Sequence, residues 1–282
     1  MIKELTLKSR IKVNVGLKIG NKRKDGLHNI HTLFQELDLY DTIYLKKIDT
    51  GCHFTSNVDW LKNNSDNLCV KSWLTMSSLF EMKGISIHLE KKIPSGSGLG
   101  SGSSNAATIL KGLNTLYRLN LSSKRLELIG SSIGADVPFF IKGGTQLGDG
   151  IGADLTRIDK SVNGAYLLVI PSFQINTAWA YKESKLLLQG FTKNVNFKRL
   201  IERDNVSFNL FKNDFESVIV PSYPEIGSIK EDLRASGARY ASLSGSGSTV
   251  YAIFDDEVDA KSAESQFNKS HITFITKPYP NG

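Results

Sequence analysis

Apolar and polar positions alternate with a period of two over residues 11–19. Ile11, Val13, Val15, Leu17 and Ile19 fall on one face, with Lys12, Asn14 and Lys18 on the other. That period predicts a strand. Ile2, Leu5 and Leu7 among charged neighbours predict a shorter strand over 2–8. Residues 30–39 and 42–47 read as two more, entered through the hairpin cue Asp25-Gly26. Residues 60–66 are a polar loop. The spacing turns helical over 67–80, through Leu68, Trp73, Met76 and Leu79, and alternates again over 85–90. Helical spacing returns over 108–118 and over 122–133, the latter behind Ser122 and Ser123 as N-cap residues. Residues 134–138 interrupt it, and Gly143-Gly144 closes a short apolar segment at 139–141. Beyond lie a buried-type strand at 166–170, helices at 179–188 and 224–236 (Gly237 closing the second), and a strand at 249–254. Strand runs mixed with helices predict an α+β protein. A compositional break at 143–152 separates an N-terminal domain, 1–150, from a C-terminal one, 151–282.

Composition narrows this little. The 282 residues carry a formal charge of +7, spread over short clusters such as Lys22-Arg23-Lys24, Lys46-Lys47 and Lys91-Lys92. Such clusters read as solvated surface or as a weak attraction for an anionic ligand. Two cysteines, Cys52 and Cys69, are too few for a disulfide framework or a zinc site, and reduced buried thiols are the expectation. The longest apolar run, 165–170, is far too short to cross a bilayer, and the first residues lack a signal-peptide core. A cytoplasmic protein, acting on a small molecule as a monomer or homodimer without nucleic acid or membrane partners, is expected.

The chemistry concentrates at residues 94–104: Pro94, Ser95, Gly96, Ser97, Gly98, Leu99, Gly100, Ser101, Gly102, Ser103 and Ser104. A glycine-rich loop feeding a helix presents converging N–H groups, no Cβ to block close approach, and the positive end of the helix dipole. A phosphate chain is the natural ligand. The loop lacks the Gly-Lys-Ser/Thr of a Walker motif and the third glycine of a dinucleotide fingerprint. The hydroxyls of Ser103 and Ser104 suit phosphate or a Mg²⁺ ion.

Other candidates carry two readings each. Asp136, in Gly134-Ala135-Asp136-Val137-Pro138, is a turn or cap residue, or a carboxylate that takes a proton from a hydroxyl as phosphate transfers. Lys12 is either a solvated strand lysine or a cation balancing Asp136 and the transferring phosphate. His28 and His31 lack a third ligand for zinc. Phe34 reads as core. A second glycine loop, Gly245, Ser246 and Gly247, is a packing turn or a second set of N–H groups over phosphate.

Taken together, these motifs resemble those of the GHMP kinases. Residues 94–106 resemble the family's ATP-binding loop, and residues 243–248 its C-terminal glycine motif. Three segments bring the resemblance closest to the 4-diphosphocytidyl-2-C-methyl-D-erythritol kinases: residues 9–14 around Lys12 and Asn14, residues 24–35 with Asp25-Gly26-Leu27-His28 and Thr32-Leu33-Phe34-Gln35, and residues 134–140 around Asp136. The resemblance implies a two-domain α+β kinase, an ATP-binding N-terminal domain and a C-terminal domain with the active site in the cleft between them. ATP and Mg²⁺ would be used to phosphorylate the 2-hydroxyl of the cytidyl-linked methylerythritol, a step of non-mevalonate isoprenoid biosynthesis. Asp136 and Lys12 would be catalytic, and Asn14 would orient the substrate. His28, Leu27, Phe34, Thr177, Tyr181 and the Gly245–Gly247 loop would form the substrate pocket. Asn67 and Lys91 would join the 94–104 loop at the nucleotide.

Two departures mark this chain. Leu27 stands where the family has a tyrosine stacked on cytosine, and Arg10-Ile11 replaces Pro-Ala before Lys12. Loss of an aromatic stacking partner costs roughly 1–3 kcal/mol per base in nucleic-acid sites. A GHMP kinase for another small alcohol, such as mevalonate or homoserine, is the competing reading; the His28 segment argues against it and Leu27 for it. An RNA-binding module would need a basic stripe interleaved with aromatics, and the basic clusters do not align that way.

Overall fold

The computed structural model describes residues 2–187, 196–202 and 206–280, and the structural statements below concern these. In chain order the elements are β1 (Glu4–Lys22), β2 (His28–Ile48), β3 (Cys52–Ser56), α1 (Leu68–Leu79), β4 (Gly84–Glu90), α2 (Ser101–Tyr117), α3 (Ser123–Ser131), α4 (Val137–Lys142), β5 (Thr145–Asp149) and β6 (Asp154–Arg157). There follow β7 (Ala165–Ile170), α5 (Thr177–Leu187), α6 (Phe197–Ile201), α7 (Glu216–Ser222), α8 (Pro224–Ala235), β8 (Tyr240–Leu243), β9 (Val250–Phe254), α9 (Glu257–Glu264) and β10 (Ile272–Thr276). The α+β class read from the sequence is the class observed. Leu188, expected to end the α5 helix, lies outside the described residues.

Several boundaries differ from the sequence expectation. The strands expected at 2–8 and 11–19 are one strand, β1, and those at 30–39 and 42–47 are one strand, β2. The apparent break in β2, Tyr40-Asp41, is strand because the Asp41 carboxylate is fully buried and accepts from the backbone N–H groups of Lys92 and Ile93 at 2.8 and 2.9 Å. The helix expected from 108 begins at Ser101, because Gly100 adopts a left-handed φ of 69° and turns the chain directly into it. The segment expected at 139–141 is the helix α4, with Pro138 in its first turn, where a missing N–H does no harm. Strands β3, β5, β6, β8 and β10 carried too short a pattern to be read beforehand.

The chain forms two compact units. The first comprises residues 1–11, 39–95 and 100–143; the second comprises 12–38, 96–99 and 144–282. In the first, β3 pairs parallel with β4, and β4 pairs antiparallel with residues 42–48 of β2. Helices α1 and α2 supply Trp73, Met76, Ile109, Leu110 and Leu113 to its core. Gly112 lets the side chains of Leu45 and Leu7 close on α2, since a Cβ there would lie 2.4 Å from Leu45 Cδ1.

The second unit holds residues 32–35 of β2 against β5, and β5 against β6, all antiparallel. It also holds an antiparallel four-stranded sheet in the order β10-β7-β9-β8. Leu167, Val169, Ala252 and Phe254 of that sheet meet Ile226, Ile229 and Leu233 of α8 and Ala260 and Ala263 of α9 in one apolar cluster. Strands buried on both faces read as continuous apolar runs, which is why β7 and β9 were legible.

Candidate active site

In the second unit, β1 sets Lys12 and Asn14 two residues apart and therefore on one face. Lys12 is 4% exposed and Asn14 1% exposed, so the solvated-lysine reading fails. The Lys12 ammonium donates to Asn14 Oδ1 at 2.7 Å and to the Gly98 carbonyl at 3.3 Å, and it lies 5.4 Å from the centroid of the Phe34 ring. Asn14 Nδ2 donates to Thr32 Oγ1 at 3.0 Å, and the Thr32 hydroxyl donates to the Gly16 carbonyl at 2.7 Å. Phe34 is buried, and its ring lies where a side chain on Gly148 would reach, so it is core with one face under the ammonium.

The two glycine segments of this unit lock together. Lys12 N–H donates to the Leu99 carbonyl, Thr249 N–H to the Ser97 carbonyl, and Ser244 Oγ to the Gly98 carbonyl, all at 3.0–3.1 Å. A Cβ on Gly98 would sit 2.2 Å from the Ser244 carbonyl oxygen, and one on Gly245 would sit 3.5 Å from Asn14 Oδ1 and 3.8 Å from Lys12 Nζ. At Gly98 glycine is required for the close backbone approach; at Gly245 the contacts are ordinary, and the left-handed φ of 59° is what favours glycine. Asn213 donates to the carbonyls of Leu243 and Gly245, both at 2.8 Å, and so holds the second loop.

The same loop meets the start of α5, where Thr177 and Ser246 hydroxyls are 2.8 Å apart. One turn on, Tyr181 stacks on His28 at 5.3 Å and 17°, with Phe215 edge-on behind it. His28 Nδ1 is 3.2 Å from the Gly20 carbonyl, which can only accept, so that nitrogen donates in this contact. Leu27 is 50% exposed at the tip of the β1–β2 turn.

In the first unit, α2 opens on Gly100 with no side-chain cap and no acidic residue in its first turn. At Gly102 a Cβ would meet nothing nearer than Leu68 Cδ1 at 3.7 Å. An uncapped, uncharged helix end with open space at its second residue fits a phosphate group. Gly134 lies beside it, the Cβ position 3.7 Å from Ser103 Oγ, which brings the segment carrying Asp136 to that helix end. Asp136 is half-buried at the N-cap of α4 and makes no side-chain cap bond.

Beneath this helix end lies a buried polar network centred on Asp41. Lys91 Nζ donates to Asp41 Oδ2 at 2.5 Å and to Ser101 Oγ at 3.0 Å. Asn105 donates to Asp41 Oδ2 at 3.1 Å and to Ser9 Oγ at 2.8 Å, and Ser9 donates to Ser104 Oγ at 2.9 Å. Burial lowers the Lys91 pKa from its ordinary value, and the Asp41 carboxylate opposes that shift. Lys91, Ser101 and Ser104 thus face the support of the loop. Asn67 caps α1, accepting from Cys69 N at 2.9 Å, while its amide donates to the Lys62 carbonyl. Pro94, Ser95, Gly96 and Ser97 lead up to Gly98, and a Cβ on Gly96 would approach Gln174 Oε1 to 3.1 Å. Asn213 and Asp41 were not singled out in the sequence, and Thr32 appeared there only as part of the 24–35 motif, with no role of its own. Each sits beside another polar residue with nothing local to set it apart, and its role depends on a partner distant in the chain.

Among the described residues no cluster of three or more His, Cys, Asp or Glu side chains could hold a metal ion, and no helix is long and apolar enough to cross a membrane.

Residues 67–144 match the GHMP kinases N terminal domain, and residues 188–272 match the GHMP kinases C terminal family. A 4-diphosphocytidyl-2-C-methyl-D-erythritol kinase of Geobacter sulfurreducens is 41% identical, over 91% of this chain and 92% of its own length. One from Chlorobium chlorochromatii is 39% identical, over 95% of each. A crystal structure of a 4-(cytidine 5'-diphospho)-2C-methyl-D-erythritol kinase matches with a TM-score of 0.83 at 26% identity, covering 97% of this chain and 99% of that one. A homoserine kinase from Cytophaga hutchinsonii matches with a TM-score of 0.69 at 18% identity, over 100% of this chain and 96% of its own, a likeness of fold alone.

Proposed function

The chain belongs to the GHMP kinases and, within them, to the 4-diphosphocytidyl-2-C-methyl-D-erythritol kinases, and from that membership we propose how its own residues perform the reaction. The activity is ATP-dependent phosphorylation of the 2-hydroxyl of 4-diphosphocytidyl-2-C-methyl-D-erythritol, in isoprenoid precursor synthesis by the non-mevalonate route. The full-length identity to these kinases carries the substrate, and the other small alcohols are set aside on that ground.

Phosphoryl transfer is mostly positioning and charge stabilisation. The 94–104 loop and the uncapped start of α2 bind the phosphates of ATP through backbone N–H groups, with Gly102 leaving room. Lys12, desolvated and directed by Asn14 and the Gly98 carbonyl, stabilises charge on the transferring group. Asn14 orients the acceptor alcohol. Asp136 takes the proton of the 2-hydroxyl, an assignment carried by its motif at residues 134–140. A Mg²⁺ ion would neutralise phosphate charge and be held by phosphate oxygens with the hydroxyl of Ser103, since Ser104 is buried and bonded to Ser9. His28, Tyr181, Thr177 and the Gly245–Gly247 loop recognise the cytidyl group, with Leu27 as an aliphatic wall. We place the enzyme in the cytoplasm, in line with two thiols that remain unpaired.

An ADP-release assay with ATP, Mg²⁺ and the cytidyl-linked alcohol, with mevalonate and homoserine alongside, tests this. Turnover with the first alone is expected; turnover with another alcohol would overturn the pocket. Asp136→Ala should lose phosphoryl transfer by about 10²–10⁴-fold, as expected for a general base, while ATP still raises the melting temperature. Normal turnover by that variant would overturn the assignment of the base.

A further inference from the structure

We propose that Thr32 is a positioning residue for phosphoryl transfer. Its hydroxyl decides which way round the Asn14 amide sits and, through that amide, where the Lys12 ammonium is held. This rests on the assignment of Lys12 and Asn14 made above.

The argument is one of donor and acceptor accounting in a buried site. The Gly16 carbonyl can only accept, so the 2.7 Å contact commits the single proton of Thr32 Oγ1 to it. The lone pairs of Oγ1 then face Asn14, 3.0 Å away. Only the NH₂ end of the amide can meet lone pairs, so Nδ2 points at Thr32 and Oδ1 points the other way. There it meets Lys12 Nζ at 2.7 Å, a group with donors alone. The reversed amide would set NH₂ against the ammonium and oxygen against the hydroxyl lone pairs, two repulsions at once. Thr32 is fully buried, so solvent does not relieve either.

Both ends of this relay are fixed. The Gly16 carbonyl direction depends on a left-handed glycine, φ 77°, against whose Cα the Phe197 ring packs; a Cβ would lie 2.7 Å from that ring. The Asn14 backbone is tied by Tyr251, whose hydroxyl donates to the Asn14 carbonyl at 2.8 Å. With strand and carbonyl fixed, the Thr32 hydroxyl anchors the NH₂ end of the amide while the Lys12 ammonium takes the oxygen end, and Thr32 is the partner that holds the amide in place when Lys12 moves.

The test is a double-mutant cycle on the purified enzyme with its cytidyl substrate. Thr32→Val should lower kcat about 10–100-fold, as loose positioning of a reacting group does, with KM changed less than about twofold. Thr32→Ser keeps the hydroxyl and should restore kcat to within about threefold of the parent. In an Asn14→Asp background the carboxylate offers Lys12 an acceptor whichever way it turns. The further change Thr32→Val should then cost less than about twofold. A role in packing alone would give the same loss in both backgrounds and no rescue by serine, and would overturn the proposal. Should Thr32→Val fail to fold, Thr32→Ala removes the hydroxyl without setting a methyl against the Gly16 carbonyl and repeats the cycle. Full activity in Lys12→Met and Asn14→Ala would overturn the site assignment beneath it. Loss in those two with none in Thr32→Val overturns the Thr32 proposal alone.

Discussion

Gly98→Ala offers the sharpest test of how the site is assembled. Gly98 has a φ of 83°, so an alanine pays about 1–2 kcal/mol for the left-handed backbone alone. Its Cβ would also stand 2.2 Å from the Ser244 carbonyl oxygen and 2.9 Å from that of Gly247. Ordinary contact begins near 3.4 Å, so the two segments must part by roughly 1 Å. Neither obstacle is a flexible side-chain end; both are backbone oxygens of a loop already held by Asn213. That displacement breaks the Ser244 Oγ bond to the Gly98 carbonyl and moves the carbonyl that receives Lys12. A loss of about 2 kcal/mol or more in stability is expected, read as a melting temperature lower by about 4–8 °C. A fall in kcat of about 10²-fold should accompany it. Gly102→Ala is the control for stability. It lies in α2 with space around it, and alanine there should leave the melting temperature unchanged or raise it, by up to ~1 kcal/mol of helix propensity. Equal melting temperatures for the two variants, with Gly98→Ala fully active, would refute the interlocked-loop argument.

Two further outcomes follow from the buried charges and phenols. Lys91→Met leaves the Asp41 carboxylate fully buried without its cation, and urea unfolding should show a loss of about 3–5 kcal/mol; a variant of unchanged stability whose KM for ATP alone rises would instead make Lys91 a nucleotide contact. Burial raises the pKa of Tyr166, Tyr240 and Tyr251 above the ordinary phenol range, whereas in the unfolded chain they ionise near ~10. Above that pH the folded state binds more protons than the unfolded state, so stability falls as pH rises. An absorbance titration of the native protein should leave these three unionised until the chain unfolds, and smooth titration of all nine tyrosines in the folded state would contradict their burial.

Much of the site was legible in the sequence because its chemistry is written in short local patterns. Glycines at alternate positions from 96 to 102, a period of two around Lys12 and Asn14, and a small-residue turn before Pro138 each need only neighbours a few residues away to take effect. The helical or extended character of residues 68–79, 84–90, 165–170 and 250–254 was legible for the same reason. What the sequence left open was choice of partner. Lys12 read first as a solvated lysine, with a site cation as the second reading, until the fold buried it against Asn14 and Gly98. Tyr40-Asp41 read as a break until two backbone N–H groups fifty residues on were found to satisfy the carboxylate. Thr32 and Asn213 were indistinguishable from other polar residues, because a hydrogen bond to a distant carbonyl leaves no periodic mark. Local sequence thus determined the conformation of the 94–104 glycine loop and the residue types offered to it. Tertiary packing alone decided which polar groups were desolvated, and desolvation is what makes a donor or acceptor choose a single partner.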